Sequence, residues 1–289
     1  MGGLGNQMFQ FAAGYALANK RGVPLFLDTS SYQNYGLHHG FELTRVFGIR
    51  MQLAKKDDVK SVIGWQGHPY AYRPLRNKRL SSIRHSRWIV EPHLHFWPDF
   101  FNTPDNCYLD GYWQSEHYFA NIQADIKKVL NFAAPLTGQN IEAAEIIKDT
   151  NAVCLHVRRG DYANNPKTLA FLGLCSLTYY ENAIKHIREH VANPKFFVFS
   201  DDIDWCKSAL NLPSTSQYIS HNVGHHSYLD MQLMSLCKHH IISNSTFSWW
   251  GAWLSDSSDA IKIAPTPWFS QPGVSDNSMV PNSWLKLPK

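Results

Sequence analysis

No stretch of this 289-residue chain approaches the roughly 18 consecutive apolar residues of a membrane-spanning helix. Its first residues lack the basic start and apolar core of a secretory leader. Cysteine is sparse: Cys107, Cys154, Cys175, Cys206 and Cys237 are odd in number, widely spaced and without a C-x-x-C pair. That spacing argues against a disulfide framework and structural zinc, and it fits a reducing compartment. There is no internal repeat and no low-complexity segment. Only 17% of residues are charged against 44% hydrophobic, which excludes a disordered chain. A cytoplasmic, globular protein of two ordinary domains is expected.

The formal charge of +4 is mild but unevenly placed, because Arg73, Arg76, Lys78, Arg79, Arg84 and Arg87 crowd into one stretch. Such a segment could face phosphates or an anionic membrane surface, with peripheral contact at the inner face of the membrane, or it could be a solvated polar face.

The rest of the chain alternates in the manner of an α/β protein. Gly2-Gly3-Leu4-Gly5-Asn6-Gln7 opens a run in which Met8, Phe9, Phe11, Ala12, Tyr15 and Ala16 recur at helical spacing until Gly22 stops them. Val23 to Leu27 reads as a buried strand ending at Asp28, and Thr29 to Gly40 reads as a polar, histidine-containing loop where a substrate could be met. A βαβ unit feeds its glycine turn from a strand, and none precedes Gly2: either the fold manages without it or the chain is N-terminally truncated. Asn106 to Trp113 is strand-like and Phe119 to Leu130 helical, and the polar break at Pro135 to Gln139 suggests lobes of residues 1–138 and 139–289. Four short apolar runs follow, Ala152 to Val157, Lys195 to Phe199, His240 to Ser243 and Ala260 to Ala264. Separated by helical patterns, they predict a parallel sheet with crossover helices. Two Rossmann-like halves facing a cleft are the simplest architecture, with a C-terminal tail able to pack back on the first lobe.

Three runs carry chemistry. His156-Val157-Arg158-Arg159-Gly160-Asp161-Tyr162 ends an apolar strand on two guanidiniums, where an open α/β sheet binds an anion. An arginine fork matches phosphate oxygens and holds a diphosphate without a metal, so a nucleotide leaving group is indicated. Ser243-Asn244-Ser245-Thr246-Phe247-Ser248-Trp249-Trp250 places four hydroxyls between a strand and an aromatic helix, either as a second anion cradle or as simple capping. Asn244-Ser245-Thr246 also spells a glycosylation sequon, but burial at this junction and the lack of a leader argue against its use. The glycine turn does not satisfy G-x-G-x-x-G, since Met8 follows where a third glycine belongs, yet it still opens a helix toward a phosphate, with Asn6 and Gln7 adding donors. It could equally be a turn that needs glycines only for its shape.

Two patterns point elsewhere. His186-Ile187-Arg188-Glu189-His190 matches the zinc signature H-x-x-E-H, but Ala183, Ile184, Ile187 and Val191 form that helix's apolar stripe and leave both histidines toward solvent. Asp202-Ile203-Asp204 resembles a metal-holding D-x-D, while Ser200, Asp201 and Asp202 could instead border a nucleotide cleft, where a carboxylate accepts from a guanine edge.

The glycine turn, Leu109-Asp110-Gly111-Tyr112-Trp113-Gln114-Ser115-Glu116, the His156 to Tyr162 run and Ser243 to Trp250 together resemble the inverting, GDP-fucose-dependent α-1,2-fucosyltransferases, over nearly the whole chain. The resemblance implies a GT-B-type α/β fold of two Rossmann-like lobes facing a cleft, with the acceptor on the N-terminal side and the donor in the C-terminal lobe. The N-terminal lobe would lack the first strand that family members carry. It further implies no cofactor and no required metal, and transfer of L-fucose to the 2-hydroxyl of a galactose unit in a surface polysaccharide or O-antigen. GDP-fucose and a galactose-terminated or lipid-linked glycan are then the partners, and nucleic acid is not. Arg158, Asn6 and Asp161 are the expected catalytic residues, with Arg158 on the β-phosphate, Asn6 approaching the reacting centre and Asp161 orienting the arginine. His156, Asp201, Ser245, Thr246, Phe247 and Gly5 join Arg158 in donor binding, and His38, His39 and Trp113 are acceptor-side candidates. The general base is unassigned. A zinc hydrolase on His186 and His190, or a GDP-sugar-binding or catalytically impaired homologue with another acceptor linkage, are the competing readings.

Overall fold

The computed structural model describes residues 2–32 and 38–289, with Asp161 described by its backbone alone. The chain divides into two compact units, residues 1–131 and 132–289.

In the first unit the glycine turn leads into a helix, Leu4–Arg21, that buries Met8, Phe9, Phe11, Ala12 and Ala16. It stops at Gly22, whose left-handed φ of 64° suits a residue with no Cβ, and Lys20 and Arg21 oppose the negative end of the helix dipole. Strands β1 (Phe26–Leu27) and β2 (Gln52–Leu53) pair in parallel, as do β3 (Trp88–Val90) and β4 (Tyr108–Asp110). Among the described residues these two ladders do not merge: a cavity of about 660 Å³ is lined by residues of both, including Phe26 and Leu27 on one side and Tyr108 to Asp110 on the other.

The buried strand expected over Val23 to Leu27 is thereby corrected. Only Phe26–Leu27 is in a ladder, and both Val23 and Phe26 are exposed, because the two-residue partner β2 leaves little surface to cover them. The helix expected over Phe119 to Leu130 is a 3₁₀ turn at Ala120–Ile122 followed by an α-helix at Gln123–Val129.

The second unit holds one six-stranded parallel sheet: β5 (Asn151–Val157), β6 (Pro194–Ser200), β7 (Gln217–Ile219), β8 (His239–Ile241), β9 (Lys262–Thr266) and β10 (Leu285–Pro288), in the order β10-β9-β8-β5-β6-β7. All four apolar runs expected as strands are present, with ends shifted by a residue or two. Alternation along β5 explains why it is central. Val153, Leu155 and Val157 pack toward Tyr179, Ala183 and Ile187 of the helix Leu177–His190. Ala152 and Cys154 belong to the opposite core with Ala143, Ile147, Leu233 and Met234, from the helices Gln139–Lys148 and Tyr228–Leu236. A strand covered on both faces needs apolar side chains at odd and even positions alike. The last strand of the C-terminal tail forms an edge of this sheet, with Leu285 opposite Ile263.

The strand order sets up a site. The chain enters the sheet at β5, moves outward through β6 and β7, then returns to β8 on the other side of β5. The winding reverses between β5 and β8, and connections leaving their carboxyl ends diverge to leave a crevice there, the place where open α/β sheets bind ligands.

Candidate active site

Both chemistry-bearing runs of the second unit emerge at this switch point. His156 and Val157 end β5, and Ser243 follows β8 by two residues. The His156 ring Nδ1 and Ser243 Oγ lie 2.9 Å apart, bridging the two strands. His156 is buried, and burial first, then the nearby Arg158 charge, push its pKa down to about 3. Burial thus favours the neutral ring, which bridges the two strands through this hydrogen bond.

Arg158 and Arg159 leave β5 toward the end of β6. The Arg158 Nε lies 3.3 Å from Asp201 Oδ2, and Asp201 Oδ1 accepts the Arg159 backbone N–H at 2.9 Å. One carboxylate thus fixes the arginine turn and the first arginine's side chain. Gly160 leaves room beside it: a Cβ there would sit 2.9 Å from Asp201 Oδ2, and the carboxylate would have to shift. Arg159 turns away, its guanidinium 4.2 Å above the Trp205 ring and its Nε 3.6 Å from Asp202. Asp202 also caps the helix Ile203–Ala209 by accepting the Trp205 N–H. The D-x-D carboxylate is occupied as a cap and a counter-ion to arginine. Asp161, expected to orient Arg158, lies in the short helix Gly160–Asn164 with its side chain outside the description; the described carboxylate that pairs with Arg158 is Asp201.

Asn244 is buried, and its amide donates to the Leu172 and Trp268 carbonyls at 2.8 and 3.1 Å, so the sequon is a loop staple. Ser245 precedes the helix Thr246–Leu254 but makes no side-chain capping bond. Its hydroxyl is thus uncommitted to the capping that competed with the anion-cradle reading, and the helix dipole directs positive potential to this end. Thr246 and Phe247 are half-buried there, the Phe247 ring 6.2 Å from that of His156. Trp249, Trp250 and Trp253 point into the core.

In the first unit, amides join the resemblance-bearing motifs. Gln7 Nε2 donates to the Gly2 and Gly40 carbonyls at 3.1 and 2.8 Å, and its Oε1 accepts the Glu42 N–H. Gln10 Nε2 donates to the Gly111 carbonyl at 2.9 Å, and Gln114 Nε2 donates to Asn6 Oδ1 at 2.7 Å. Asn6 is therefore oriented by a residue 108 positions away. Gly5 sits in the first helical turn. His38 is exposed, with a left-handed φ of 58°, and lies against Gly3, where an added Cβ would be 3.3 Å from its ring. His39 is half-buried; part of the loop assigned to Thr29 to Gly40, residues 33–37, lies outside the described residues. Trp113 departs from expectation: it is 1% exposed, packed on Phe100 and Tyr118, and so closed to an acceptor. An aromatic residue in a loop motif suggests a sugar platform, but this indole is a core anchor.

What holds that anchor is Glu91, which sequence reasoning passed over. Its carboxylate oxygens accept the N–H groups of Tyr112 and Trp113 at 2.8 and 2.9 Å, fixing Trp113 in its left-handed φ of 56° just before Gln114. Gly111 must be glycine, since a Cβ would come within 2.4 Å of Glu91 Cβ. A lone glutamate after a strand carries no signal of this; the glycine beside it in space was the only clue. Burial raises the Glu91 pKa to about 7, against the two N–H bonds that lower it. An acid whose pKa is raised on folding binds its proton more tightly when folded, so stability falls as pH rises from about 4.5 to 7 and levels off above. Thermal melts at pH 5 and pH 8 should show wild type losing more stability over this interval than Glu91→Gln; parallel losses in both proteins would refute the assignment.

Histidines 186 and 190 lie on the outer face of their helix as expected, rings stacked 4.1 Å apart, and no group of three or more His, Cys, Asp or Glu side chains among the described residues is arranged to hold a metal.

The fold agrees with that of a solved fucosyltransferase. The crystal structure of NodZ α-1,6-fucosyltransferase soaked with GDP-fucose superposes with a TM-score of 0.51 at 14% identity, covering 87% of this chain and 89% of that one. The architecture is thus the GT-B-type α/β fold of sugar transferases. Within that class the chain belongs to glycosyl transferase family 11, whose profile matches residues 73–287, the α-1,2-fucosyltransferase family that its motifs resemble. Among its relatives, an α-1,2-colitosyltransferase of Escherichia coli is 37% identical over all of this chain and 97% of its own. The O-antigen biosynthesis glycosyltransferase WbnK of Escherichia coli is 32% identical, covering 99% and 98%. The galactoside 2-α-L-fucosyltransferase SEC1 of Bos taurus is 25% identical, covering 89% of this chain and 63% of that one.

Proposed function

We propose that this protein transfers L-fucose from GDP-β-L-fucose to the 2-hydroxyl of a galactose unit, with inversion and without a metal, in the cytoplasmic assembly of a surface polysaccharide such as an O-antigen. The observation that carries the reading is Arg158 at the β5–β8 switch point, held by Asp201 beside the Ser245 end of the helix Thr246–Leu254. The acceptor oxygen forms a bond to the anomeric carbon from the face opposite the diphosphate. The sugar–phosphate bond breaks, its electrons leave on GDP, and the acceptor proton goes to a base. Charge therefore grows on the diphosphate as an oxocarbenium-like sugar forms, and fixed donors aimed at that charge favour the transition state over the ground state. Arg158 supplies the fork, Ser245, Thr246 and the first turn of their helix the remaining donors, and Asp201 the orientation. In the first unit the residues proposed to take part are Asn6, held by Gln114, in catalysis, and His38 and His39 in acceptor binding. Asp161 remains a candidate for orienting the arginine.

A second donor is favoured by a specific relative, the colitosyltransferase of Escherichia coli. Colitose is fucose without its 3-hydroxyl, so a fucose site need lose only the partner of that hydroxyl to accept it. GDP release should be measured from each donor, with and without lactose, in EDTA. Lactose-dependent release from GDP-fucose that survives EDTA is the expected result. Release from GDP-colitose alone would move the assignment to the deoxy sugar, and loss of all release in EDTA would refute the metal-free mechanism.

A further inference from the structure

Between Asp58 and Glu91 the chain has no acidic residue, but it has Lys60, Arg73, Arg76, Lys78, Arg79, Arg84 and Arg87. Two of these cations serve the fold: the Arg76 Nε pairs with Asp110 Oδ2 at 3.0 Å, and Lys78 donates to the Pro92 carbonyl at 2.6 Å. Arg73, Arg79 and Arg87 are exposed. The same stretch exposes large apolar side chains, with Trp65 68%, Tyr70 88% and Ile83 59% accessible.

Their exposure follows from how the segment is tied down. The buried Gln66 amide donates to the Ile83 carbonyl at 2.9 Å and accepts the His85 N–H at 2.7 Å, which binds the turn carrying Trp65 to the segment carrying Ile83. In the helix Pro69–Leu75, Tyr72 stacks on Trp88 at 4.9 Å and Leu75 is buried, so the opposite face presents Tyr70 and, three residues on, Arg73. Gln66, Tyr72 and Leu75 are thus engaged inward, and the outward residues combine positive charge, with no acidic residue between Asp58 and Glu91, with Trp, Tyr and Ile.

We propose that the 65–87 face seats this protein peripherally on a bilayer rich in anionic lipid, with the arginines at the phosphate level and Trp65, Tyr70 and Ile83 entering the interface. Among the described residues no helix is long and apolar enough to cross a membrane. Charge complementarity selects an anionic partner, and the apolar members select lipid over nucleic acid. An isoleucine gains free energy in the headgroup–acyl boundary and gains little against a phosphodiester backbone. The proposal is independent of which sugar is transferred.

The test is flotation of the full chain with vesicles of phosphatidylglycerol and phosphatidylcholine, and with phosphatidylcholine alone. Binding is expected only where phosphatidylglycerol is present. At about 1 kcal/mol per basic residue near an anionic surface, Arg73→Gln, Arg79→Gln and Arg87→Gln together should lower partitioning roughly 100-fold. Trp65→Ala with Ile83→Ser should leave a weaker binding that 0.5 M salt abolishes, whereas wild type should be only partly released. Thermal melts of both variants matching wild type would exclude misfolding as the cause. Equal binding to both vesicle types, no binding to either, or binding of an RNA oligonucleotide without binding of vesicles would overturn the proposal.

Discussion

Arg158→Ala is expected to lower lactose-dependent turnover by at least 10²- to 10³-fold, the usual cost, about 3 to 4 kcal/mol, of removing one preorganised donor from a developing oxyanion. The loss should fall mainly on kcat, because the arginine's contribution grows as the diphosphate gains charge. Arg158→Lys discriminates further. An ammonium keeps the charge but not the planar fork, and its single attachment point cannot both meet Asp201 and donate in parallel to two phosphate oxygens. The lysine variant should therefore fail nearly as badly, with its melting temperature unchanged, since the side chain is partly exposed and its described partner is a surface-proximal carboxylate. Near-wild-type turnover of Arg158→Lys would remove Arg158 from the phosphate site and leave the Ser245 helix end as the principal anion cradle.

How much of this was legible in the sequence depended on whether the decisive contact was local. The helix Leu4–Arg21 could be read because its glycine start, apolar spacing and Gly22 stop all lie within it. β5 could be read because burial on both faces forces an unbroken apolar run, and the charged residues immediately after it marked the carboxyl edge of the sheet. The placement of His186 and His190 away from the apolar stripe of their helix followed from helical spacing alone. Contacts across parallel strands were harder. Asp201 was expected near the nucleotide, but its grip on the Arg159 N–H depends on β6 lying beside β5 with Ser200 opposite Val157, a register no local pattern encodes. Glu91 was missed for the same reason, since it acts on a loop about 20 residues away, and Trp113 was misread because its aromaticity suggested an acceptor contact that burial excludes. The first unit deviated most: Val23 to Leu27 has the composition of a buried strand, but burial is conferred by neighbours, and its ladder has only two residues.

Trp249→Ala is expected to be the most damaging change to stability, at about 3 to 5 kcal/mol for a fully buried indole, or a fall in melting temperature on the order of 10 °C. Trp249 has no exposed surface, meets Trp250 edge-on at 5.0 Å and Trp284 at 5.6 Å, and donates its Nε1–H to the Met279 carbonyl at 2.8 Å. The truncation thus opens a cavity and orphans a buried acceptor at once. Trp249→Phe separates the two costs: most of the volume is kept, so its loss should approach the 1 to 3 kcal/mol of an unsatisfied buried carbonyl. The consequence for the site follows from position. Trp249 lies one turn into the helix whose N-terminal end carries Ser245, Thr246 and Phe247, and its own N–H bonds the Ser245 carbonyl at 3.0 Å. Loosening that turn moves the proposed phosphate donors without touching Arg158. The phenylalanine variant should therefore bind GDP more weakly by calorimetry at a temperature where circular dichroism shows it folded. Unchanged GDP affinity in a destabilised Trp249→Phe protein would mean that the helix end is not part of the donor site.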